Sequence, residues 1–434
     1  MMKLNTQEQA MLDGDGQPGA DARQKAMHLL LRYGEALGAE RLVDTNNVAG
    51  TAGSSSTFIR DFYAKEGVAT RDQLFSRFDL DSDDAVDEIQ TARTFTCHLQ
   101  TRIDPAHAEM MGVPGDVLDF HKESQGHSAS LGVQLLNTCT PYANGNVQVK
   151  GEHCAWMESS AVVYCNSVLG ARTNTEGRES TAAAMLTGKI PYWGFHLDEN
   201  RLGQHQIDVE VEMDSVMDWG MLGYFTGDAV EEEIPVLTGI EGPASLIRHK
   251  HFGAAAASSG GVEMYHVVGA TPEAGSIEQA FGTNRPVQIL KYGAIERRRT
   301  YETINGNGHS TDVDYIMLGC PHYSIEQIWE ASKLLDGKRV HENCALWIFT
   351  AAAVKDVADR NGYTKIIEDA GGVMMTDTCS AMSAALPRGT RVAATDSAKQ
   401  THYLPAITDV EAWFGSAADC VEAAITGKWK GEAP

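Results

Sequence analysis

Apolar positions along this chain fall into two regimes. From Val313 onward, short apolar runs alternate with amphipathic stretches: Val313–Leu318 then Ile325–Leu335, Ala345–Phe349 then Ala351–Asn361, and Gly372–Met375. Near-continuous apolar strands spaced by helices predict a parallel sheet covered on both faces. The earlier part is more mixed. Met27, Leu30, Leu31, Gly34 and Leu37 recur at helical spacing and predict a helix over Ala22–Leu37. Arg41–Val43, Thr94–Leu99, Leu131–Leu136 and Tyr265–Val268 are strand candidates, Thr181–Thr187 is a helix, and the alternation of Ile207–Met213 marks a half-exposed strand. The expected class is therefore α/β. An acidic excursion at about 64–116 crowds Asp79, Asp81, Asp83, Asp84, Asp87 and Glu88, but lacks the glycine and terminal glutamate of an EF-hand loop.

The stretch Gly151–Gly177, GEHCAWMESSAVVYCNSVLGARTNTEG, fits neither regime. Ala155–Gly170 has helical length and no proline, yet small and polar residues interrupt its apolar face. On one helix, Ser159, Val163, Asn166 and Gly170 would share a stripe, and Glu158, Val162, Cys165 and Leu169 the next. A carboxylate, hydroxyls and an amide would then converge on one side. After Gly170, Arg172 offers a planar guanidinium fork for a carboxylate or phosphate. The same residues also suit a buried polar network between packed helices. His196 reads equally as a ligand or general acid and as a histidine fixed by hydrogen bonds in a turn. The small-residue loop Ala49–Ser56, which contains Ser54 and Ser55, can bring backbone amides to a ligand; with no GKS or GKT after it, it is not a P-loop.

Composition narrows the class. Thirty-five Lys and Arg stand against 59 Asp and Glu, a net charge of −24 that disfavours nucleic acid and anionic membrane as partners. The start lacks a basic-then-apolar leader and the longest nearly apolar run, Cys344–Val354, is too short to span a bilayer, so a cytoplasmic enzyme is expected. Eight cysteines without a CxxC pair read as free thiols. Three share a setting: Cys139 follows LGVQLL, Cys320 follows YIMLG and Cys379 follows GVMMTDT, each just past an expected strand. Carboxyl ends of parallel strands form one rim, where ligands bind. A helix starting just beyond such a thiol would favour the thiolate. Three thiolates at a cleft suit an iron–sulfur cluster with one open iron, or zinc with an open fourth position; three buried packing cysteines are the plain alternative. Cys97, Cys154, Cys165, Cys344 and Cys420 read as packing residues.

Several motifs go further. TCTPY at Thr138–Tyr142, the AWMESSAVVYCNSVLGARTNTEG block, GFHLDEN at Gly194–Asn200, YHVVGATPE at Tyr265–Glu273, GCPH at Gly319–His322, DTC at Asp377–Cys379 and TDSAK at Thr395–Lys399 resemble the aconitase X family. The resemblance runs from about Ala22 to the C-terminus. It implies a multi-lobed, three-layer α/β/α fold with parallel sheets, an N-terminal lobe to about residue 290 and a C-terminal lobe over 291–434. It also implies a dehydratase whose iron–sulfur cluster, 2Fe-2S, 3Fe-4S or 4Fe-4S, sits on Cys139, Cys320 and Cys379. Glu158, His196 and Lys399 are the implied catalytic residues; Ser54, Ser55, Ser159, Ser160, Asn166, Arg172, Asn174 and Ser397 are the implied substrate-binding residues. Family activities are dehydration of cis-3-hydroxy-L-proline and of mevalonate 5-phosphate, and the absence of a recognisable phosphate motif puts the imino acid first. The family carries a small swivelling domain, fused or as a separate subunit, so a large subunit with a small partner is expected. Between Gly50 and about Asp116 the chain departs from the family pattern, so a different hydroxy acid also fits. A non-catalytic iron–sulfur or zinc scaffold or sensor is the rival from another class.

Overall fold

Three parallel sheets follow one another along the chain in the computed structural model, which describes residues 2–50, 61, 64–65, 70–81, 92–242 and 245–433. The first holds β1 (Asn47–Gly50), β2 (Phe95–His98) and β3 (Cys154–Trp156), in the order β2-β1-β3. The second holds β4 (His205–Val209), β5 (Pro235–Thr238), β6 (His266–Val267) and β7 (Ile289–Tyr292), in the order β6-β5-β4-β7. The third has five strands: β8 (Tyr315–Tyr323), β9 (Ala345–Thr350), β10 (Gly372–Thr376), β11 (Val392–Thr395) and β12 (Glu411–Phe414), ordered β10-β9-β8-β11-β12. Among the described residues no helix is long and apolar enough to cross a membrane.

The third sheet is the one most plainly written in the apolar pattern. Every residue of β8 is buried, because both faces of the strand are covered. Ile316 and Leu318 share a core with Ile348, Met374 and Ile328. Tyr315 and Met317 point the other way, into a core with Trp347, Phe349 and Met375. Alternate side chains of one strand thus feed two cores, each large side chain contributing about 1.5–3 kcal/mol of apolar burial. In the first lobe a helix over Ala20–Ala36 buries Ala26, Met27 and Leu30 against Ala183, Ala184 and Leu186 of the helix Arg178–Thr187.

Four expected elements come out differently. Ala155 and Trp156 belong to β3, paired with β1, so the expected helix over 155–170 begins only at α1 (Ser159–Tyr164). It then widens into a π-helical turn at Cys165–Leu169 and leaves through Gly170. Leu131–Leu136 is not a strand: Leu131 is spent capping the helix Gly115–Ser130, and Gln134 makes a single bridge to Cys97. The alternation of Ile207–Met213 stays paired only to Val209, because neighbouring β5 and β7 end at Thr238 and Tyr292. In the acidic excursion Asp79 is buried on the helix Arg71–Asp79, while Asp83, Asp84, Asp87 and Glu88 lie outside the described residues.

Strand direction places the chemistry. The carboxyl rims of the first and third sheets meet: Thr101 N donates to Asp377 O at 2.7 Å, joining the chain just past β2 to the chain just past β10. The region of the second sheet, here called the second lobe, reaches the same rim through α2 (Leu246–Ser259), which packs on α1.

Candidate active site

Cys320 lies where β8 loses regular register, between Leu318 and Tyr323. Gly319 makes the bend, with φ +100° and no room for a Cβ, which would stand 2.2 Å from the Phe349 carbonyl oxygen. Cys379 follows β10 and opens the short helix Ser380–Ser383. Cys139 arrives on the loop before the turn Pro141–Ala143, so the thiol reaches the rim although its expected strand does not form. All three thiols are buried. They lie within electrostatic reach of one another: Cys320 and Cys379 act on Cys139, and Cys379 acts on Cys320.

Donors converge on the sulfurs. His322 N donates to Cys139 Sγ at 3.3 Å and Gln100 Nε2 to Cys379 Sγ at 3.0 Å. The Ser397 hydroxyl favours the charged form of Cys320, and the Met382 and Ala381 amides favour that of Cys379. Burial nonetheless pushes the Cys320 thiol up to about 12, and Cys139 and Cys379 above the usual range. Burial thus opposes the thiolate while the amides beside Cys379 favour it, and loading a metal on these thiols would release protons. The donor set suits an iron–sulfur cluster: three soft ligands, dry walls, and N–H groups aimed at sulfur. Among the described residues no three His, Cys, Asp or Glu side chains gather closely enough for a single metal ion.

Beside the thiols stands Lys399, in the first turn of the helix Ala398–Thr408. Its Nζ donates to Glu158 Oε1 at 2.8 Å, Ser160 Oγ at 2.6 Å and Ser159 Oγ at 3.1 Å. Burial works against the ammonium, but Glu158 and the neighbouring Cys320 and Cys139 outweigh it and hold the lysine above its ordinary pKa. Glu158 has a second duty, since its Oε2 accepts from Ala161 N at 2.8 Å and caps α1. Glu158, Ser159, Ser160, Ser397 and Lys399 are therefore gathered with Cys139 and Cys320, although 239 residues separate Ser160 from Lys399.

The remaining expected residues are held elsewhere. Asn166 spends its amide on Thr173 and Glu263: Nδ2 donates to Thr173 O at 2.9 Å and Glu263 O at 3.1 Å, and Oδ1 accepts from Thr173 N at 3.0 Å. The Arg172 guanidinium donates to His196 O at 2.8 Å and to the Asp198 carboxylate. Asn174 Oδ1 accepts from Phe195 N at 2.8 Å. His196 is buried beside His153, their Nδ1 atoms 2.9 Å apart, and burial first, then His153, pushes its pKa down to about 3. Arg172 Nη1 and Nη2 thus tie their segment to that of His196 and Asp198, and the His196 ring is enclosed beside His153. Ser54 and Ser55 lie outside the described residues.

Four participants escaped the sequence reading. Arg201 threads the motif block, bonding Glu273 through Nε and Nη2, and Asn166, Phe195 and Ala171 through its remaining donors. His322, Thr138 and Lys250 surround the thiol loops: His322 Nδ1 is 2.9 Å from Thr138 Oγ1, and Lys250 Nζ donates to His322 O at 2.9 Å. Burial lowers Lys250 to about 8 and His322 to about 4. A signal for Lys250 was present, since a lysine between two histidines opens a helix otherwise rich in Ala and Gly.

Comparison with known proteins places this architecture. Family models match the chain in three pieces, the aconitase X first domain over residues 1–199, second domain over 203–302 and third domain over 313–426. The chain belongs to the aconitase X family. A phosphomevalonate dehydratase large subunit from Methanothermobacter thermautotrophicus is 35% identical over 95% of this chain and 96% of its own length. A cis-3-hydroxy-L-proline dehydratase from Pseudomonas aeruginosa is 31% identical over 98% of this chain and 70% of its own length. The crystal structure of Thermococcus kodakaraensis aconitase X in its holo-form superposes with a TM-score of 0.79 at 29% identity, covering 98% of this chain and 100% of that one. The curated relatives named here are dehydratases, and this chain is an enzyme of that class, a hydro-lyase.

Proposed function

We propose that this chain is the cluster-bearing large subunit of a dehydratase whose substrate carries a hydroxyl β to a carboxylate. The observation that supports it most directly is Lys399, a buried ammonium held by Glu158, Ser159 and Ser160 within electrostatic reach of Cys139 and Cys320. Cys139, Cys320 and Cys379 would hold an iron–sulfur cluster, and such a cluster supplies a Lewis acid for a leaving hydroxyl. Lys399 would bind the substrate carboxylate, with the Ser159 and Ser160 hydroxyls turning to complete the grip. Holding that carboxylate against a fixed positive charge acidifies the neighbouring C–H, which is the bond that must break for water to leave. Glu158 orients Lys399. With one oxygen on Lys399 and the other on Ala161 N, it is a positioning group, and the proton acceptor is assigned to the partner.

The partner is a small subunit, on the ground that the end-to-end relatives are large subunits by name. Both substrates printed in the relatives' names carry the β-hydroxy carboxylate. Mevalonate 5-phosphate is the first to assay, because relatives named for it reach 34–35% identity over 95% of this chain. The imino acid is second, favoured by two relatives at 31% identity over 98–100% of this chain. This order of assay differs from the one the missing phosphate motif suggests, and either compound fits the family.

The test is anaerobic purification with and without a co-expressed small subunit, followed by iron and sulfide analysis and assay of both compounds. Iron, sulfide and partner-dependent turnover of either compound is the expected result. Zinc or no metal would remove the cluster assignment, and turnover undiminished in Lys399→Met would remove the carboxylate grip.

A further inference from the structure

We propose that His322 is a positioning residue that locks the three thiol-bearing loops to one another, with Lys250 fixing it from the second lobe. The inference rests on the assignment of the three cysteines as ligands, but its geometry can be tested on the metal-free chain. His322 is 1% exposed, and each of its polar groups is committed. Nε2 lies 2.9 Å from Thr378 O, a carbonyl that can only accept, so Nε2 bears the hydrogen. In the neutral ring Nδ1 is then the acceptor, and the Thr138 hydroxyl at 2.9 Å donates to it. Thr138 Oγ1 also has Thr140 N and Thr140 Oγ1 at 3.1 Å; the first donates to it and the second can do so, whereas the bare Nδ1 can only accept, so the Thr138 hydrogen goes to the ring. The His322 backbone N–H goes to Cys139 Sγ, and its carbonyl accepts from Lys250 Nζ.

The placing of these bonds is what matters. Thr138 immediately precedes Cys139, Thr378 immediately precedes Cys379, and His322 follows Cys320 by two residues. One imidazole therefore joins loops 184 and 56 residues away in sequence. Lys250, whose ammonium also bonds Gln327, ties this knot to α2. Loops ordered before metal arrives pay less on binding it, so the knot should act on how firmly a cluster is kept.

Four variants test it: His322→Gln, Thr138→Val, which removes only the hydroxyl at nearly constant shape, Thr138→Ser, which restores it, and Lys250→Met. Two readouts are needed. On the anaerobically loaded chain, the rate of iron loss to a chelator and the visible and electron paramagnetic spectra are followed. Loss about 10- to 100-fold faster in His322→Gln and Thr138→Val, with altered spectra, and near wild-type behaviour in Thr138→Ser, is expected. On the metal-free chain, hydrogen exchange is followed at 138–140, 320–323 and 376–380. Thr138→Val should release all three segments together at unchanged overall fold, and Lys250→Met should release 320–323 most. Release confined to the substituted loop, or iron loss at the wild-type rate in Thr138→Val, would overturn the proposal. If the wild-type chain takes up no iron and sulfide, the ligand assignment fails by itself, and the exchange result still decides whether His322 joins the loops. Should His322→Gln fail to fold, the Thr138 pair carries the test.

Discussion

Glu158–Ser160 and Asn166–Asn174 are neighbours on one short block with similar side-chain chemistry, yet the first group stands beside the thiols and the second is enclosed in a hydrogen-bonded frame. The division falls at the π-helical turn Cys165–Leu169. Before it, α1 starts directly at the carboxyl rim of β3 and presents its first residues to Lys399. After it, the chain turns back along β3, bridging His153 to Arg172 and Trp156 to Thr175, and meets the segment carrying His196 and Arg201. Residue type therefore decides little without the path of the backbone. A guanidinium with a carboxylate and a carbonyl already in its fork ties segments together; an ammonium held by two hydroxyls and one carboxylate at the rim is the cation proposed to meet substrate.

Substitutions can break this contrast. The largest effect is expected at Lys399: Lys399→Met should lower kcat by about 100- to 10,000-fold, the usual range for losing a group that acts on the transition state, with iron content kept. Next comes Arg201→Met, which leaves Glu273 without its buried partner and should cost about 3–5 kcal/mol of stability in denaturant unfolding. Arg172→Lys should cost about 1–3 kcal/mol in the same measurement and leave KM and kcat close to wild type. A collapse of turnover in Arg172→Lys at unchanged stability would return Arg172 to the substrate and erase the contrast.

The smallest effect sharpens the frame's electrostatics. The His196 pKa is depressed to about 3 in the folded chain, below its unfolded value of about 6.5. Between those limits the unfolded chain binds the extra proton, so stability falls as pH drops through the window, by about 1.4 kcal/mol per pH unit from this group. Replacement by Gln should flatten the slope of unfolding free energy between pH 6 and 4. An unchanged slope would mean that His196 is not the group being held neutral.

Much of the third sheet was legible because its strands are buried on both faces and read as apolar runs. Cys320 and Cys379 were legible at the rim for the same reason. Cys139 was found by a strand that does not form, though its loop still reaches the rim. The block from Glu158 to Asn174 was legible as chemistry but not as geometry: helical spacing put Ser159 and Asn166 on one stripe, whereas β3 takes up its start and the wider turn changes its end. The partners of Lys250 and the carboxylate partner of Arg201 stayed hidden, because they lie 72–77 residues away along the chain.

The α/β class, the family and the places of Cys320 and Cys379 beside apolar strands were written in short segments, since burial on both faces of a strand and local motif order are local properties. Only the tertiary structure decided which polar residues are free to act. That depends on which donor meets which acceptor across lobes, and a hydrogen bond is satisfied by position in space and not by distance along the chain.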